Sequence, residues 1–178
     1  MSTLKVNTIQ EADGTAFPLG KVLQVVQTNK TDTTSFSISS GGTHTDTNFS
    51  ASITPSSTSS KILVQIMLNH GTSSNQIVGI TLKANNSNVD IIGDSSSSRA
   101  RLTMAYHAEE TAGCHVVPIT ALHSPNSTSQ QTYTLNYRLN SSSTRTHYIN
   151  RSNDDNNASG NGMGPRTAST MILKEIAA

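Results

Sequence analysis

Tryptophan is absent from this chain, cysteine occurs once, and aromatic residues make up 4% of its 178 positions. The lone Cys114 excludes an internal disulfide framework, so packing or partners must supply the stability. Charge is scarce as well: Asp, Glu, Lys and Arg are 13% of the chain, against roughly 25% in an average soluble domain. A net charge of +1 with scattered cations gives no electrostatic footprint for nucleic acid, which needs clustered Lys and Arg. No run approaches the roughly 18 apolar residues of a spanning helix, and the N-terminus lacks the apolar region of a signal peptide. The expectation is a chain made inside a cell and not inserted into a membrane. Hydrophobic residues are only 33%. Such a thin core implies that part of the buried surface lies between subunits, as in obligate oligomers.

What is abundant is small and polar. The chain has 27 Ser, 24 Thr and 16 Asn, residue types that favour strands, turns and caps over helix interiors. The stretch Ile53 to Gly71, ITPSSTSSKILVQIMLNHG, holds the strongest apolar pattern. Ile62, Val64, Ile66 and Leu68 alternate with Leu63, Gln65, Met67 and Asn69, so one face of an extended chain is wholly apolar and the other mixed. This predicts the central strand of an antiparallel sheet. Further strands are predicted at 21–27, 33–39, 48–54, 76–83, 99–107, 114–123, 132–140, 145–150 and 167–176, with Pro118 marking an edge strand or a bulge. The turns between them leave no room for crossover helices. The predicted fold is all-β, an antiparallel sandwich of jelly-roll type spanning 21–178. Residues 1–20 form a separate unit by composition, too short to fold alone, and are expected to dock on a partner through Leu4, Val6, Ile9, Phe17 and Leu19.

Catalytic signatures are weak. The neighbours Cys114 and His115 point to opposite faces of a strand and make no nucleophile–base pair. The adjacent acids Glu109–Glu110 and Asp154–Asp155 sit in turn-like surroundings, where solvation explains them. The six histidines show no zinc spacing and read as surface or edge residues, with His44, His70 and His147 in or beside turns. Oxygens at 154–157 do not match a calcium loop. No enzyme, cofactor or metal is expected. The longest stretch without pattern, Arg151 to Arg166, together with Ser95–Arg101, could contact a carbohydrate through Tyr148, Arg151, Asp154 and Asp155.

The blocks MSTLKVNTIQ, GKVLQVVQ, ITPSSTSSKILVQIML, IGDSSSSRARLT, HYINR and RTASTMILKEIAA, in that order, resemble virion structural proteins of tailed bacteriophages, especially those of cyanobacteria. The resemblance implies a virion component with an N-terminal attachment segment and a distal, trimeric β-sandwich. The role expected on this basis is a tail fibre or adaptor that contacts other virion proteins and further copies of itself. A capsid decoration protein and a module binding host-surface glycans are the alternatives. The chain lacks the long repetitive shaft of a receptor-binding fibre.

Overall fold

Buried and exposed residues alternate with period two through most of the strands, so the core is built from every second side chain. The computed structural model describes residues 20–108, 112–155 and 164–177. Their strands are β1 (Val22–Lys30), β2 (Thr34–Ile38), β3 (Thr43–Ile53), β4 (Lys61–Thr72), β5 (Gln76–Ala84), β6 (Ser87–Asn88), β7 (Met104–Ala108), β8 (His115–His123), β9 (Gln131–Asn140), β10 (Arg145–Ile149) and β11 (Ser169–Ile176). No helix occurs among the described residues.

Two antiparallel sheets form a sandwich. In one, β1 pairs β11, β11 pairs β4, and β8 closes the far edge of β4. β10 continues the track of β11 along β4, and β2 pairs β10 as β1 pairs β11. In the other, the order is β3, β9, β5, with β6 and β7 sharing the outer edge of β5. Counting β1/β2, β6/β7 and β10/β11 as single ranks leaves eight, arranged 1-8-3-6 and 2-7-4-5. Every connection except the β5–β6 hairpin passes from one sheet to the other. That is the jelly-roll winding.

β4 is the central strand that its alternation predicts. Ile62, Val64, Ile66 and Leu68 are buried against Phe49, Ile80, Leu82, Tyr133, Leu135 and their neighbours in one continuous core. Pro118 lies in β8, an edge strand, opposite Met67, where a missing N–H costs no ladder bond. One expected strand is shorter than predicted: 99–107 becomes regular only at Met104. The residues before it form a strap over β5. Leu102 covers Gly79, whose absent Cβ leaves the room: a Cβ there would lie 2.6 Å from Leu102 Cδ1. Thr103 secures the strap, donating its N–H to the Ile80 carbonyl at 2.9 Å and accepting the Leu82 N–H at 3.0 Å.

Two interruptions lie side by side. Rank one breaks between Lys30 and Thr34, rank eight between Ile149 and Ser169. Asn150 sits at the junction, fully buried, with φ of 63°. Its amide donates to the Lys30 and Asp32 carbonyls at 2.7 and 2.9 Å and accepts from the Ser169 hydroxyl at 2.6 Å. Asparagine tolerates the left-handed backbone, and its one short side chain ties Lys30, Asp32 and Ser169 together.

Candidate functional site

The two outer faces of the sandwich differ in chemistry. Across the sheet of β1, β11, β4 and β8, consecutive cross-strand rows read Val25, Lys174, Leu63, Leu122; then Gln27, Ile172, Gln65, Thr120; then Asn29, Thr170, Met67, Pro118. Val116 continues the face beside Asn69. Val25, Met67, Val116 and Leu122 are 48–58% exposed, and Lys174 is the one charge in these rows. A shallow cleft of about 210 Å3 runs among Gln65, Met67, Pro118, Thr120, Thr170 and Ile172. The opposite face is polar. There Thr132, Thr134, Asn136, Arg138 and Asn140 of β9 lie between Thr43, Thr45 and Ser52 of β3 and Thr81 and Lys83 of β5. Hydroxyls and amides pair on it, as in Asn136 to Thr45 at 2.9 Å and Ser52 with Thr132 at 2.8 Å.

The loop offered for ligand contact is brought together and then largely satisfied within itself. The Arg151 guanidinium lies 4.0 Å over the Tyr148 ring and 3.6 Å from Asp155. Arg166 reaches Asp155 at 2.6 Å and donates to Thr33 at 3.1 Å. Tyr148 donates its hydroxyl to Asn153 at 2.8 Å, and Asp154 accepts from the Asn153 amide. Asp155 thus closes the neck of an excursion where Arg151 bridges Arg166. Arg166 was missed at the sequence level because nothing local signals that pairing. The second proposed contact loop borders an open cleft of about 410 Å3 lined by Gly93, Asp94, Ser96, Arg99, Leu102 and Met104.

The histidines require a correction. His70 and His147 are not at the surface: both are 0% exposed, inside one end of the sandwich. His70 continues the apolar face of Ile62 to Leu68 by parity, and extending that alternation two residues would have found it. Among the described residues no three His, Cys, Asp or Glu side chains are placed to hold a metal ion. Cys114 is half-buried, and burial pushes its thiol up, away from the thiolate a nucleophile needs. The docking residues Leu4, Val6, Ile9, Phe17 and Leu19 and the pair Glu109–Glu110 lie outside the described residues.

No protein-family pattern matches the sequence, and no curated protein matches it. Similar solved structures include the VP2 subviral particle of infectious bursal disease virus, 13% identical with a TM-score of 0.42, covering 98% of this chain and 42% of that one. The T=1 particles derived from infectious bursal virus are 15% identical with a TM-score of 0.47, covering 97% and 41%. This chain therefore spans about two fifths of the length of those it matches. The jelly-roll assignment rests on the strand order.

Proposed function

We propose that this chain is a non-enzymatic structural protein of a bacteriophage particle, a fibre or adaptor component of the tail. Residues 1–20 dock it on another virion protein, and the sandwich packs as a homotrimer through the outer face of β1, β11, β4 and β8. The observation that carries this reading is the apolar face itself. Half-exposed Val25, Met67, Val116 and Leu122, set among uncharged Gln, Thr and Asn side chains with one lysine, mark an interaction surface rather than a charged, solvated sheet. Completing the burial of four half-exposed side chains contributes roughly 1 kcal/mol or more each, enough to matter for a chain whose own core is thin. The resemblance of the sequence blocks to phage virion proteins supplies the setting.

The test is the assembly state. Sedimentation of the parent protein is expected to give a trimer, and Met67→Asp combined with Leu122→Asp a folded monomer. A trimer that survives both changes would mean that the face is wet and that β4 serves its own subunit only. Gold label on intact particles separates the two virion locations: label at one vertex fits a tail component, label over the whole shell a decoration protein.

A further inference from the structure

One end of the sandwich is packed with titratable rings rather than aliphatic side chains. His70 of β4 and His147 of β10 face each other, Nε2 to Nδ1, at 3.1 Å. The other nitrogen of His70, Nδ1, is hydrogen-bonded to the Tyr106 hydroxyl of β7, in the opposite sheet. Rings enclose both imidazoles. Tyr137 of β9 stacks on His70 with centroids 5.4 Å apart and planes 16° apart, and Phe36 of β2 lies against His147 at 5.6 Å and 5°. Phe36 in turn stacks on His44 of β3 at 4.1 Å.

The proton count in this chain of atoms is constrained. A neutral imidazole carries one N–H and one lone pair, and two facing nitrogens hold one proton between them. A single added proton fits, because one ring becomes a double donor while the other still accepts. A second does not fit. Both rings would then be imidazolium, with two N–H groups and two positive charges opposed across 3.1 Å inside a core. The surroundings offer little relief. Arg145 lies two residues before His147 in β10, with its Nε buried and unpartnered. His115 of β8 pairs in register with His70 and its ring lies 5.3 Å from that of Tyr106, and His44 lies on the far side of Phe36. Asp46 of β3 is the one buried carboxylate nearby; its charge acts on the Tyr137 phenol, and its Oδ2 has no hydrogen-bond partner.

We infer that the His70–His147 contact is an acid-sensitive latch: double protonation parts the rings and releases β10 and β2 from β4, while β1, β11 and β8 stay paired. The partition follows from the ladder, because β10 holds β4 through only three residue pairs, His147–Thr72, Tyr148–Gly71 and Ile149–His70, whereas β11 holds it through seven. Burial agrees in direction. It keeps His70 well below the usual histidine range, with His147 and His115 adding to the effect, and it holds His147 down at about 4, with a contribution from His44. This inference goes beyond the proposed virion role and does not depend on it.

The experiment is a pH titration of the full chain by NMR, following histidine ring signals and amide exchange from pH 7.5 to about 3. The expected result is two rings that remain neutral to below pH 5. Amides of β2 and β10 should then lose at least tenfold in protection, after correction for intrinsic exchange, before those of β1 and β11 change. His147→Gln, which keeps a hydrogen-bonding side chain without a titrating one, should abolish that selective loss. Rings titrating near 6.5, or protection lost evenly from all strands, would overturn the latch. If the variant fails to fold, the titration of the parent protein decides alone.

Discussion

Glu175 is buried at the end of β4 opposite to the histidines, pairing in register with Ile62. Burial would raise its carboxyl, but hydrogen bonds from Ser60, Gln24 and both the hydroxyl and the N–H of Ser56 outweigh that and hold it down at about 2. A carboxylate lowered from 4.5 stabilises the fold fully above about pH 4.5, and that contribution is lost as pH falls toward 2. His147 works in a different window. A base kept neutral by burial stabilises the fold above about pH 6.5 relative to lower pH, and the contribution is lost as pH falls through about 4. Thermal denaturation followed by circular dichroism should therefore show two successive declines on acidification. Glu175→Gln removes the lower one, and costs about 1–3 kcal/mol at pH 7 by leaving buried donors unpaired. Composition hides Glu175, His70 and His147, since one buried Glu and two buried His look like solvated charges in a list. Parity does not hide them all: Glu175 alternates with Leu173 and Met171 on the inner face of β11 and His70 with Leu68 on that of β4, while His147 lies in a stretch buried on both sides.

Strands with an alternating pattern were legible, β4 and β9 above all, because period two survives any detail of packing. The strap before β7 was not. Its residues alternate too, yet Leu102 is held by the empty space over Gly79 rather than by a ladder, and that space belongs to another strand. Two glycines make the difference between elements measurable. A Cβ at Gly71 in β4 would lie 2.4 Å from the Arg151 carbonyl oxygen, on backbone that folds across the strand. At Gly79 in β5 the obstacle is the tip of one leucine. Gly71→Ala is expected to cost about 1–3 kcal/mol or more by forcing backbone shifts. Gly79→Ala should cost less, because Leu102 can turn aside, though the strap then loosens. Chemical denaturation of the two variants side by side checks the order; equal losses would mean that the strap is as unyielding as the backbone.

At the scale of the molecule, the antiparallel sandwich follows from the spacing of turns, whereas its strand order and the contrast between its two outer faces need the register. Met67 reads as one mixed position in a sequence, and only the register places it beside Pro118 on the same outer face as Leu122 and Val116. The proposed anchor is tested here as well. Deleting residues 1–20 should leave the sandwich folded and trimeric but absent from purified particles, measured by immunoblot of banded virions; normal incorporation would discard the anchor. The seam pinned by Asn150 has a practical consequence. The chain leaves rank eight at Asn150 and returns at Thr167, whose N–H donates to the Asn150 carbonyl at 3.0 Å. Exit and return are thus adjacent, and no ladder in either sheet fixes how many residues lie between them. Foreign peptide spliced between Asp155 and Gly164, beyond the Arg151–Arg166 bridge, would leave the register of every described strand unchanged, which makes the seam a natural port for display.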